Sequence, residues 1–182
     1  LLAPLAWASP GWARRTLGTL LLSGTLVGLG PSAWAEDLKG QVIAVADGDT
    51  VTVLDADRQR HKIRLAGIDA PESRQAYGQR SRLSLKELLD GRQVLVTYDK
   101  TDRYGRLVGK VELEGRDINL EQLRRGLAWH YKKYEAEQSA QDRQVYAQAQ
   151  QQAQTVRLGL WRDPEPQAPW DYRQQKRQAD GP

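Results

Sequence analysis

The chain has 182 residues, enough for one domain or a small pair. Charged residues make up 27% and the mean hydropathy is −0.68, which excludes a multi-span membrane protein; the 40% hydrophobic share excludes a wholly disordered chain. A net charge of +4 is too mild to announce a polyanionic partner without a local patch, and the lack of cysteine excludes disulfides, thiolate metal sites and a cysteine nucleophile.

The first readable element is a leader. Arg14 and Arg15 form a positive start, residues 17–30 are uncharged and largely apolar, and Pro31 ends the run. Ala33-Trp34-Ala35 is a small-x-small cleavage pattern, followed at once by Glu36-Asp37. The apolar run is short for a membrane span. Residues 1–35 are therefore expected to be a removable signal, with 1–13 an upstream mis-start or the result of a truncated record, and the product to be secreted or periplasmic without stable membrane insertion.

Residues 41–68 are rich in β-branched side chains and short turns. They predict strands over 42–46, 50–54 and 62–68, joined at Asp47-Gly48 and Asp55-Ala56-Asp57. In the third strand Ile63 and Leu65 share one face, so Arg64 takes the other. Residues 76–89 predict a helix with Leu85, Leu88 and Leu89 on one side and Gly91 as its stop. Alternation predicts a fourth strand over 92–98 and a fifth over 107–113. Asn119 is expected to cap a short helix closed by Gly126, and Ser139 with Asp142 to open a longer one ending near Gly159. From Asp163 onward Pro and Gln dominate, so 163–182 reads as a tail, loosely docked at best through Trp170 and Tyr172, behind a domain over 36–162. Strands first and helices later give an α+β class: a small five-stranded β-barrel with about three helices packed on it.

Four short stretches stand out: DGDT from Asp47, RLAGIDAPE from Arg64, DRYGR from Asp102, and Gly126-Leu127-Ala128. Alone, each has a plain structural reading as a hairpin turn, a strand exit with a helix cap, or a solvated β-turn. Together they say more. Asp49 opens the second strand and Asp69 closes the third, so in an antiparallel pair both carboxylates can meet at one rim. With the Ala70 carbonyl, held outward by Pro71, they make a poor zinc site but a reasonable site for a hard cation. Only His61 and His130 are histidines, which argues against a multi-histidine centre. Glu72 follows as a further acid, and Arg64 and Arg106 offer planar forks suited to phosphate. A dication, a base and two guanidiniums are the parts needed to hydrolyse a phosphodiester.

The ordered set DGDTV, RLAGIDAPE, DRYGR and NLEQLRRGLAW resembles the staphylococcal nuclease (thermonuclease) family. The likeness runs from about Asp37 through Gly159-Leu160-Trp161 to a Pro-Trp-x-x-Arg stretch ending at Arg173. It implies an OB-fold barrel with three helices and calcium-dependent endonuclease action on DNA and RNA, leaving 3′-phosphate ends. Carried over by motif, Asp49, Asp69 and the Ala70 carbonyl would hold Ca²⁺, and Glu72 would act as general base or water-orienter. Arg64 and Arg106 would grip the phosphate, Arg103 and Tyr104 would contact a nucleotide phosphate, Tyr134 would lie near the base, and Asp47 would support the ligands from behind. Two departures are a shorter segment after Glu72 and alanine at position 70, where the family commonly has threonine.

His130 is expected at the surface or half-buried, Trp129 and Trp161 in the core or a seam, and Arg124, Arg125, Lys132 and Lys133 on a solvated face. The chain is expected to be monomeric. One alternative is a catalytically silent OB-fold module that binds nucleic acid or a protein, but such a module should have lost one of Asp49, Arg64, Asp69, Glu72 and Arg106, and all five are present. A hydrolase of another phosphoester, such as a small nucleotide, is a further alternative.

Overall fold

Period-two alternation builds the wall of a barrel in the computed structural model, which describes residues 35–181. All but the last residue of the expected leader lies outside them. β1 (Glu36–Val45) begins six residues before the predicted strand, because its first residues pair with a strand far along the chain. β2 (Thr50–Leu54) follows as predicted, and β3 (Arg60–Leu65) alternates as expected, with Ile63 and Leu65 inside and Arg64 at the rim. The predicted strand over 62–68 does not run through. Gly67 adopts φ +71, a turn that reverses the chain, and the two-residue β4 (Ile68–Asp69) leaves the barrel.

α1 (Gly78–Leu89) buries Leu85, Leu88 and Leu89 as predicted. β5 (Gln93–Thr101), β6 (Leu107–Leu113) and the short β7 (Arg116–Asp117) complete the sheet in the order β3-β2-β1-β5-β6-β7. A parallel pairing of β3 with β6, Ile63 opposite Leu107, closes five strands into a mixed barrel. The chain thus has the α+β OB-fold. Its interior is filled by Val42, Val51, Val53, Val96 and Val111, each fully buried and stabilising by roughly 1.5–3 kcal/mol.

α2 (Ile118–Arg124) corrects the predicted cap. Asp117 is the N-cap, its carboxylate accepting from the Leu120 amide at 2.9 Å, while Asn119 lies inside the helix with its amide buried against the barrel. β8 (Trp129–His130) pairs with β4, and α3 (Ala140–Thr155) starts at the predicted Ser139 cap but stops four residues before Gly159. The largest difference is at the end. Residues read as a tail form α4 (Pro169–Ala179), with Pro at its start, Asp171 in its first turn and Lys176 and Arg177 in its last. Among the described residues no helix is long and apolar enough to cross a membrane.

Candidate active site

The turn between β1 and β2 delivers the first carboxylates. Gly48 stands where a Cβ would lie 1.8 Å from the Ser81 hydroxyl and 2.7 Å from the Ala70 Cβ, so only glycine lets the turn press against α1 and the segment after β4. The Asp47 carboxylate accepts the Asp49 amide at 3.0 Å, which shapes the turn and aims Asp49 across the rim. Asp49 Oδ2 then accepts the Ala70 amide at 2.7 Å, and the Leu65 amide donates to the Asp49 carbonyl at 2.8 Å. The start of β2 and the segment after β4 are thereby stitched together, by side-chain and loop contacts beyond the end of the β2–β3 ladder.

Asp49 and Asp69 are only 5% and 1% exposed. The Arg64 guanidinium bridges them, with Nη2 at 3.2 Å from Asp49 Oδ2 and 2.9 Å from Asp69 Oδ1, while Nη1 donates to the Leu65 carbonyl at 2.8 Å. Burial and the neighbouring Asp49 charge push the Asp47 carboxyl up to about 6. Burial also raises Asp69, against the opposing pull of its arginines. Crowding like charges out of water is costly, and it creates a strong demand for positive charge at this rim.

Arg106 is fastened from the other side. Asp102 accepts both its Nε and its Nη2, at 2.8 and 2.7 Å, and Arg106 Nη1 reaches the Thr50 hydroxyl at 3.4 Å. That hydroxyl donates to Asp49 Oδ1 at 3.1 Å, so a hydrogen-bonded line runs from Asp102 to Asp49. The same turn carries Arg103 and Tyr104. The Tyr104 ring is 66% exposed and lies beneath both guanidiniums, at 4.9 Å from Arg103 and 5.4 Å from Arg106.

One cleft of about 1390 Å³ gathers every site residue named from the sequence. Asp47, Asp49, Asp69, Ala70 and Glu72 line it together with Arg64, Arg103, Tyr104, Arg106 and Tyr134. The exposed Tyr134 ring is flanked by Lys100 and Lys133. His130 departs from expectation: it is 2% exposed, on β8, with Nε2 paired to Gln138 Oε1 at 2.8 Å. Trp161 is buried and Trp129 half-buried, the two packed edge-on at 4.4 Å as a seam under α4.

Among the described residues no three His, Cys, Asp or Glu side chains are grouped to hold a metal. The side-chain donors that converge are the Asp49 and Asp69 carboxylates, which the Ala70 carbonyl would complete. That oxygen-only set fits a hard cation completed by water and substrate oxygens. The motifs gave no role to Arg173, which α4 carries into the cleft. Its Nη2 donates to Asp69 Oδ2 at 2.7 Å, and its Nη1 to Asp69 Oδ1 at 3.2 Å and Glu72 Oε1 at 2.9 Å. The signal that could have revealed it is the helix-start chemistry of Pro169 and Asp171, with Arg173 three residues after Trp170.

A family model described as "Staphylococcal nuclease homologue" matches residues 62–163. The chain is 40% identical over 156 residues to a micrococcal nuclease of Shigella flexneri, covering 81% of this chain and 86% of that one. It is 40% identical over 141 residues to an uncharacterized endonuclease of Escherichia coli, covering 77% and 88%. A staphylococcal-like nuclease of Arabidopsis thaliana is 36% identical over 119 residues, which span 65% of this chain and 35% of the plant protein.

Proposed function

The chain belongs to the staphylococcal nuclease homologue family, and from that premise we propose that it is a calcium-dependent endonuclease that hydrolyses DNA and RNA to 3′-phosphate products. The nuclease class follows from the family. The observation that carries the finer reading is the convergence of Asp49 and Asp69 under Arg64, in one cleft with Glu72 and Arg106.

Asp49, Asp69 and the Ala70 carbonyl would hold Ca²⁺. When bound, the ion supplies positive charge that stabilises the phosphoryl oxygens as a fifth bond forms at phosphorus. Glu72, 41% exposed in the wet part of the cleft, orients a water and takes its proton. Arg106, pre-aligned by Asp102, and Arg64, pre-aligned by Asp49 and Asp69, offset the charge that grows on the non-bridging oxygens. Arg103 and Tyr104 on the exposed turn contact a neighbouring phosphate, and Tyr134 lies near a base. Asp47 keeps Asp49 aimed through its bond to the Asp49 amide. So few charged ligands imply weak binding, which suits the high calcium outside cells and agrees with export through the leader over 14–35. A monomer suffices, since one chain supplies every group.

Plasmid DNA and RNA digested in parallel with Ca²⁺, Mg²⁺ or EGTA, followed by end-group analysis, test this reading. Cleavage with Ca²⁺, silence in EGTA and 3′-phosphate ends are expected. Undiminished cleavage in EGTA overturns the metal assignment, and 5′-phosphate ends overturn the polarity. Binding without cleavage under every condition makes the chain a silent OB-fold module.

A further inference from the structure

Arg173 sits in the cleft without a part in the chemistry above. It arrives on α4, which is docked by aromatic packing. The Trp170 ring stacks on Tyr131 at 5.4 Å, nearly parallel, and meets Trp129 edge-on at 5.5 Å. Ala168 and Pro169 at the start of α4 are buried, and just before it the Gln167 carbonyl accepts from Gln75 Nε2 at 2.7 Å. Three residues after Trp170, and so on the same face of the helix, Arg173 extends to Asp69 and Glu72.

The Glu72 side chain depends on this contact. Among the described residues its carboxylate has one hydrogen-bond partner, Arg173 Nη1 at 2.9 Å. The Glu72 backbone is tied to the segment that leads into this helix, since its amide donates to Gln75 Oε1 at 3.1 Å and Gln75 in turn holds the Gln167 carbonyl. The charges agree. Without Arg173, among the described residues Glu72 loses its ion pair and Asp69 keeps only that with Arg64, while Arg106 is paired with Asp102. Repulsion from Asp69 would then turn the exposed Glu72 away from the phosphate position. A carboxylate offers roughly four acceptor sites, so Asp69 can serve Arg173 and a cation together.

We propose that Arg173 is a positioning residue of the nuclease site, by which the C-terminal helix holds Glu72 beside Asp69 in the orientation needed to activate water. The inference rests on the nuclease reading above and adds that α4 is part of the working site.

The test is a double-mutant cycle in the full mature chain, joining Arg173→Gln with Glu72→Gln, alongside Arg173→Lys. Steady-state kinetics, calorimetric Ca²⁺ titration and thermal melting are measured on each. Arg173→Gln is expected to lower kcat about 10- to 100-fold with KM within about two-fold, the size of effect expected from a misplaced base. Ca²⁺ affinity should stay within about three-fold, and in the Glu72→Gln background the same change should alter kcat less than about two-fold. Arg173→Lys keeps the charge but loses the fork, and should fall between, at about 3- to 10-fold. Should Arg173→Gln not fold, the cycle is run with Arg173→Lys, and its loss must likewise vanish without Glu72. Unchanged kcat overturns the proposal. A raised kcat with tighter Ca²⁺ binding overturns it in favour of a latch, and a full loss persisting in the Glu72→Gln background overturns it in favour of direct phosphate contact. Failure of the wild type to cleave with Ca²⁺ counts against the nuclease reading, whereas a dead Glu72→Gln with a normal Arg173→Gln counts against this inference alone.

Discussion

Two buried polar clusters meet at Gly48. Beneath the turn, Gln122 is neutral and fully buried, donating to the Gly48 and Ser81 carbonyls at 2.9 and 3.1 Å and accepting from the Ser84 hydroxyl at 2.8 Å. Its helical neighbour Asn119 accepts the Val111 amide at 3.1 Å and donates to the Ala66 and Gly109 carbonyls at 3.0 and 3.1 Å. Above the turn, Asp47, Asp49 and Asp69 are crowded against one another, and burial raises two of their carboxyls. The lower cluster satisfies its own atoms and stabilises the fold. The upper one holds like charges together against their repulsion, offset by Arg64 and Arg173. A neutral amide network thus holds the turn from which the acidic one projects.

The division is most severely tested by Asn119→Ala. It strips a buried amide and two carbonyls of their partner and is expected to cost about 3 kcal/mol by urea unfolding, while the rate per folded molecule stays near that of the wild type. Glu72→Gln and Arg106→Gly should do the reverse. Each is expected to lower kcat/KM by at least ~100-fold with the melting temperature little changed. A large loss of stability in these two, or of catalysis in the first, would erase the distinction.

The sequence displayed these clusters unequally. The bounds of β2 and β6, the inward face of β3 and the Ser139 cap were readable because alternation and capping are local signals. Asp49 and Asp69 do meet under Arg64, though not by strand pairing alone: the β2–β3 ladder ends with Thr50 opposite Arg64, and the turn at Gly67 with β4 carries Asp69 back to the rim. Asn119 was misplaced because Asp117 and Asn119 are both good caps, and only the β7 hairpin decides which lies inside the helix. α4 was missed for a different reason, despite the helix-start chemistry of Pro169 and Asp171. Its sequence, PWDYRQQKRQA, has no apolar stripe, so its order comes from Trp170 meeting Tyr131 and Trp129, tens of residues away in sequence. Arg173 was therefore seen only as the end of the Pro-Trp-x-x-Arg stretch and given no role. Likewise His130 gave no sign of burial, because its place on β8 depends on β4 leaving the barrel.

A smaller effect sharpens the contrast through pH. In the fold the Asp47 carboxyl is raised from 3.8 to about 6, chiefly by burial and then by Asp49. Between those values the folded chain holds more protons than the unfolded one, so stability falls as pH rises through the window. Asp47→Asn keeps the oxygen that accepts the Asp49 amide and removes the charge. In EGTA the variant should match the wild type near pH 4 and exceed it by about 1–2 kcal/mol near pH 7.5, after allowance for solvent screening. Urea midpoints across pH 4–8 check this. Parallel curves would mean that Asp47 ionises as easily as an exposed aspartate.

The smallest effect belongs at the open end of the cleft, where Lys132 and Lys133 are exposed beside Tyr134 and Lys133 lies 5.8 Å from its ring. Neither lysine is near the carboxylate pairs in sequence, and exposed lysines are screened at ordinary salt. If they only solvate this face, replacing both changes nothing. Their position along the cleft wall instead leads us to expect a contribution to the backbone's electrostatic attraction. Replacing both with alanine should raise KM about two- to three-fold near 50 mM salt, leave kcat unchanged, and lower the slope of log KM against log salt by no more than about 1.4. By about 0.3 M salt the difference should vanish, since the Debye length there is shorter than the spacing of an exposed lysine from a passing phosphate. An unaltered slope would return both lysines to the solvated face and confine substrate capture to the arginines of the rim.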